Sequence, residues 1–412
     1  MAFCLVDSLK LSKVLCTCNH NHRYMRFADK ISDIAESYLN KWDSDVKYKI
    51  DAGEDILQFN LGQPDFACPE FVKRAIEEAA FMDKNNFYNH TAGVSAARQA
   101  VATLEEKAFG LKYGKEEVII TNGAKEAIFL ALAAILDADD EVVIIAPAWP
   151  TYIEAVKFLG GRPIVLNADL GFHLDIGAIK DSVSECTKAI IINSPNNPTG
   201  VVYTEQELAD IAQIAIENDL VVISDEVYSF TVFDGKKHFS IAELPDMKVR
   251  TVVIDSFSKT LSMAGYRLGY AASSKEMIDA MTKVKSNVNG NTNSLFQMVA
   301  AVVLDNYGEE FYGFVDSTRE EYSKRRDFVC EKLKAMGVER IRPAGAFYVF
   351  ARIPERMEKK SRDFADYLLN MAKVAVAPGI FFGEDYDDYF RISCGASMED
   401  LEKGMERMKK AL

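Results

Sequence analysis

Lys259 and Arg267 stand eight residues apart in one short run, Asp255-Ser256-Phe257-Ser258-Lys259-Thr260-Leu261-Ser262-Met263-Ala264-Gly265-Tyr266-Arg267-Leu268-Gly269-Tyr270. A lysine after two serines is ordinarily a solvated loop residue. Here the apolar stretch Thr251 to Ile254 precedes it, and Leu268-Gly269-Tyr270 reads as a return into a sheet. A turn between two buried strands holds the amine and the guanidinium near one crevice, with the hydroxyls of Ser256 and Ser258 beside them. Such a set suits a phosphate whose ring carries an aldehyde: the guanidinium and hydroxyls grip the anion, and the amine is the nucleophile.

Other reactive residues fall where strands end, which is where ligands bind in an open α/β sheet. Asp225 closes the apolar run Leu220 to Ile223, a depth at which a carboxylate needs a partner; a capping aspartate is the plainer reading. Gly123-Ala124-Lys125 opens a helix directly after a strand, so its free amides and the positive helix end favour an anion. Trp149 follows the strand Glu141 to Ala146, where a large ring is commonly core. Ser194-Pro195-Asn196-Asn197-Pro198-Thr199-Gly200 is a turn on any reading. Arg391 lies between apolar neighbours in Phe390-Arg391-Ile392-Ser393, as structural ion pairs often do.

The elements that must carry these residues alternate. Strands are predicted at 56–61, 118–120, 141–146, 163–166, 188–192, 220–224, 346–353, 374–377 and 389–393. Helices are predicted at 27–39, 69–81, 94–109, 124–136, 151–158, 205–217, 275–285, 294–306, 309–336, 361–371 and 398–410. Apolar strands interleaved with helices imply a mostly parallel sheet covered on both faces. A length of 412 residues implies two domains.

On these motifs, residues 30–412 resemble the class I and II aminotransferases, pyridoxal-phosphate enzymes of the aspartate aminotransferase fold (fold type I). The resemblance implies an α/β large domain with a mostly parallel seven-stranded sheet, and a smaller α+β domain built from the N- and C-terminal segments. The implied boundaries are an arm at 1–26, small-domain segments at 27–60 and 307–412, and a cofactor domain at 61–306. It makes Lys259 the residue that carries pyridoxal 5'-phosphate and moves the substrate proton, and Asp225 the partner of the ring nitrogen. Asn197 and Tyr228 then hydrogen-bond the cofactor's phenolic oxygen, and Trp149 stacks on its ring. Gly123, Ala124, Lys125, Ser256, Ser258 and Arg267 take the phosphate, and Tyr88 reaches the phosphate of a neighbouring subunit, which implies a homodimer. Arg391, with Gly62 and Asn197, takes the substrate α-carboxylate. Pro343 to Tyr348 and Ala377 to Gly383 read as further landmarks.

The implied reaction is transfer of an amino group from an L-amino acid, aspartate favoured, to 2-oxoglutarate by a ping-pong route. Enzymes with this framework also act on alanine, aromatic amino acids or kynurenine, or break C–S bonds. The distal carboxylate site matches poorly; Lys125 is its first candidate and Lys285 the second. A ligand-sensing module is the alternative of another class, disfavoured because the catalytic positions are intact.

Composition sets the outer limits. Apolar residues are 49% and charged residues 27%, and the net charge of −14 repels nucleic acid and anionic lipid. No apolar run approaches the ~18 residues of a membrane span, and the first 26 residues lack the apolar core of a secretory leader. Seven cysteines form no disulfide framework, so a cytoplasmic protein is expected. Cys16, Cys18, His20 and His22 alternate as a strand would present them; a polar arm is the reading preferred over a zinc site.

Overall fold

The structure, a computed structural model, describes residues 27–412. The Cys16/Cys18/His20/His22 cluster lies outside the described residues.

Seven strands form the main sheet: β2 (Val118–Thr121), β3 (Glu141–Ala146), β4 (Arg162–Asn167), β5 (Thr187–Asn193), β6 (Val221–Asp225), β7 (Thr251–Ser256) and β8 (Gly269–Ala272) follow a two-residue β1 (Leu57–Gln58). Their order is β2-β8-β7-β6-β5-β3-β4. β8 runs antiparallel to both neighbours and every other pairing is parallel. The run Lys188 to Ile192 shows why: it is apolar almost throughout, so it tolerates burial on both faces, as parallel strands with helical crossovers require.

Alternate residues face opposite layers. Ile144, Ile191, Ile223 and Ile254 pack under the helices Ala124–Ile135, Thr151–Phe158 and Lys275–Val288. Ile145, Ile190 and Val222 face the helix Glu205–Glu217, while Ile120 and Val253 face Ser95–Phe109 and Ser294–Asn306. Each such side chain contributes about 1.5–3 kcal/mol on burial.

A second group of strands comes from the rest of the chain: β9 (Tyr348–Arg352), β10 (Val374–Ala375), β11 (Ala377–Pro378) and β12 (Tyr389–Ser393). β11, β12 and β9 form an antiparallel sheet in that order. β1 pairs in parallel with β10. Leu57 and Phe59 share a core with Phe347, Phe364, Phe390 and Leu401.

Three expectations are corrected. The helix expected at 27–39 is one turn, Lys30–Asp33; the long helix is Tyr38–Asp51, capped by Ser37, whose side chain accepts from Asn40 N. The strand expected at 56–61 is only Leu57–Gln58, because its partner β10 is equally short. The strand expected at 374–377 splits, since the chain leaves β1 after Ala375 and joins β12 at Ala377. The helix Ile176–Ser182 had no expectation. Among the described residues no helix is long and apolar enough to cross a membrane, and Cys68, Cys186, Cys330 and Cys394 are unpaired.

Candidate active site

β5, β6 and β7 are parallel neighbours, and their carboxyl ends deliver three motifs to one place. β6 ends on Asp225, which is in register with Asn193 of β5 and Ile254 of β7. The turn Ser194–Gly200 follows β5, and the one-turn helix Phe257–Thr260 carries Lys259 directly after β7. A cavity of about 250 Å³ opens there, lined by Lys259, Asp225, Asn197, Tyr228, Arg391 and Gly62, and also by Ser256, Ser258, Lys125, Trp149 and Arg267.

Lys259 is half buried and its Nζ donates to the Gly62 carbonyl. Burial first, then the positive charges of Arg391 and Arg267, lower its amine to about 8, while Asp225 opposes them. Asp225 is 3% exposed. Tyr152 donates to its Oδ2 at 2.5 Å. Burial pushes Asp225 up to about 6 against the pull of Tyr152 and the Val227 amide. A carboxylate in that state is ready for a cationic partner. Tyr228 shares a 2.8 Å hydrogen bond with the hydroxyl of Tyr348.

Arg391 reaches the same cavity from β12. Its Nη1 donates to Asn197 Oδ1 at 2.9 Å and its Nη2 to the Asn60 carbonyl at 2.6 Å. The guanidinium carbon stands 4.4 Å from the centre of the Tyr348 ring and 5.0 Å from that of Phe382. Arg391 is buried, makes no ion pair with a carboxylate among the described residues, and its Nε has no hydrogen-bond partner among them. A buried cation with neutral partners and a spare donor is shaped for an anion from solution. The plainer reading, a structural ion pair, does not hold for the described residues.

The far side of the cavity fits a phosphate-sized anion. Gly123 adopts φ +80° at the start of the helix Ala124–Ile135, whose first amides lack intrahelical acceptors. A Cβ on Gly123 would stand 2.6 Å from Arg267 Nη2. Arg267 itself adopts φ +55° and is held by Ala264 O at 3.0 Å and Asn122 O at 3.3 Å. Lys125 Nζ lies 4.9 Å above the Trp149 ring, and desolvation, then Arg267, lowers its amine. The donor set therefore suits a group with an anionic end, an electrophilic carbon near Lys259 and a ring cation near Asp225.

Two expected residues lie elsewhere. Tyr88 is 97% exposed and does not enter this cavity. Lys285, the second candidate for a distal carboxylate, is corrected: it is fully buried, paired with Glu126 at 3.1 Å and with Thr292 at 2.9 Å. Its cation is consumed by the packing between the helices Lys275–Val288 and Ala124–Ile135. Sequence reasoning missed Tyr152, Asn193 and Asp43. Tyr152 is one helical turn past Trp149, a usable signal. Asn193, which accepts Asn197 N at 2.8 Å and donates to Asp225 O at 2.9 Å, is the last residue of a strand that was read only for its apolar part.

A family model described as aminotransferase class I and II matches residues 54–408. The aspartate aminotransferase of Pyrococcus abyssi is 36% identical over 392 residues, spanning 94% of this chain and 98% of that protein. Aromatic-amino-acid aminotransferase 2 of Thermococcus litoralis is 37% identical over 363 residues, 87% of this chain and 92% of that protein. Among solved structures, the aspartate aminotransferase from Thermus thermophilus with maleate superimposes with a TM-score of 0.90 at 33% identity, covering 94% of this chain and 100% of that one.

Proposed function

The chain belongs to the class I and II aminotransferase family, and from that premise we propose that it moves an amino group from L-aspartate to 2-oxoglutarate with pyridoxal 5'-phosphate held at Lys259. The observation that carries the reading is the convergence of Lys259, Asp225 and Arg391 on one cavity, each with unmet capacity for a partner.

Pyridoxal phosphate, when bound, supplies a ring that accepts the electron pair left on the substrate α-carbon. Lys259 is the attachment point, since burial and two guanidinium groups keep its amine close to neutral form. With the group bound, the Lys259 amine would be the base that takes the proton from the substrate α-carbon. Asp225, oriented by Tyr152, would keep the ring nitrogen protonated, a pairing that would bring its own raised proton affinity down. Asn197 has its oxygen committed to Arg391, so its amide nitrogen is the donor left for the phenolic oxygen. Tyr228 is the second donor. Arg391 fixes the substrate carboxylate and thereby the face from which Lys259 works. Gly123, Ala124, Lys125, Ser256, Ser258 and Arg267 would hold the phosphate, Trp149 would cover the ring, and the Lys125 amine, over the Trp149 ring, would serve the distal carboxylate.

Tyr88, nearly bare on the surface, serves the phosphate of a second copy, so the working unit is a homodimer. The chain divides at about residues 60 and 306, supported by the shared core of Phe59 with Phe347 and Phe390. The acidic composition and unpaired cysteines favour the cytoplasm.

An amino-donor panel against 2-oxoglutarate tests the reading. Aspartate is expected to give the highest kcat/KM, with ping-pong kinetics, and Lys259→Ala to lose both visible absorbance and turnover. Transamination retained by K259A removes Lys259 from the reaction. The name of the Thermococcus relative favours a second reading, aromatic donors; phenylalanine outperforming aspartate decides for it.

A further inference from the structure

The helix Tyr38–Asp51 brings a carboxylate to the substrate end of the cavity that the proposed reaction does not use. Asp43 is half buried, lines the cavity, and accepts a 2.5 Å hydrogen bond from Asn60 Nδ2. Asn60, wholly buried, accepts Arg391 Nη2 through its main-chain oxygen at 2.6 Å. One neutral residue therefore separates the carboxylate from the guanidinium. Trp42, the preceding residue, donates its ring N–H to the Val376 carbonyl at 2.9 Å and pins the helix at this point. Besides Asn60, the groups facing Asp43 are Arg391 from β12 and Tyr348 from β9, and Lys259 lines the same cavity. Asp43 makes no ion pair among the described residues.

Resting on the reading of Arg391 as the carboxylate clamp, we propose that Asp43 is a positioning and affinity-setting residue: its carboxylate is the standing counter-charge of Arg391, with which the substrate carboxylate competes. Through Asn60 it also fixes where the guanidinium points. Capture places two anions around one cation, and like charges favour protonation of one of them. Asp43 is the group that yields, because burial already raises its proton affinity over the opposing effects of Asn60 and Arg391. It takes one proton from solvent, carboxylate becoming carboxylic acid, so carboxylate binding strengthens as pH falls.

The test is calorimetry of the holoenzyme with succinate, a dicarboxylate without an amino group, at pH 8 and pH 6 in two buffers of different ionisation enthalpy. Asp43→Asn keeps an oxygen for Asn60 but removes the charge. It is expected to bind succinate about tenfold more tightly at pH 8, the equivalent of one pKa unit of coupling. It should also gain less than wild type between pH 8 and pH 6 and take up fewer protons. D43N with unchanged affinity and proton count overturns the proposal. A smaller gain in D43A, which loses the Asn60 bond as well, supports the positioning part; D43A binding more tightly than D43N removes it. Arg391→Ala separates this from the clamp itself. Near-normal succinate binding by R391A overturns the clamp, whereas lost binding there beside an unaltered D43N overturns only the role of Asp43. If D43N does not fold, Asp43→Ser carries the same comparison.

Discussion

At the scale of single residues, Lys259 gives the sharpest test. An ordinary lysine near 10.5 has about one neutral amine in a thousand at pH 7.5, whereas one near 8 has roughly a quarter. The neutral amine is what attacks an aldehyde. In cofactor-free protein, the rate at which pyridoxal phosphate attaches should rise with pH and level off above about 8. Arg391 lowers the amine, so Arg391→Ala should move the midpoint to higher pH. A wild-type midpoint near that of free lysine counts against the buried environment. Residues of this kind were readable in the chain because charge at the end of an apolar run is expensive wherever it occurs. Asp225 announces itself that way, and Arg391 does so from the middle of such a run. Tyr152 does not, because a tyrosine in an amphipathic helix is ordinary until its hydroxyl is seen to reach Asp225.

At the scale of elements, the turn from β2 into the helix Ala124–Ile135 depends on one residue without a side chain. Gly123 adopts φ +80°, and a methyl group there would press on Arg267 Nη2. Gly123→Ala should lower the melting temperature, since a positive φ with ψ at 167° is essentially reserved for glycine and costs another residue about 1–3 kcal/mol. It should also weaken cofactor binding by about tenfold or more, the loss of one hydrogen bond to a charged group. Equilibrium binding of pyridoxal phosphate by absorbance measures the second effect, and unchanged binding would exclude Gly123 from the phosphate site. The strands and helices of the main sheet are legible because each is long and strongly patterned. The helix Tyr38–Asp51 is not. Its apolar stripe of Leu39, Trp42, Val46 and Ile50 is interrupted by eight charged or polar neighbours, and the more apolar 27–39 segment competes with it. β1, β10 and β11 are two residues each, too short for any periodicity to mark them.

At the scale of the whole molecule, the exposed Phe81, Phe87 and Tyr88 fit a surface covered by a second copy. Sedimentation should give the mass of a dimer. Tyr88→Phe should keep that mass while loosening the cofactor by about tenfold, one hydrogen bond to a charged group; tight cofactor binding by the variant assigns Tyr88 to packing alone. The main sheet also fixes something that no surface loop controls. Asp225 and the strand leading to Lys259 are hydrogen-bonded neighbours in register, so their spacing is that of adjacent strands, about 4.8 Å. Two walls of the same cavity, Leu39 and Asn40, belong to the helix Tyr38–Asp51 instead. Diversification is therefore separable from that spacing: a randomised library at those two positions should change which acids are accepted while Asp225 and the strand before Lys259 stay untouched.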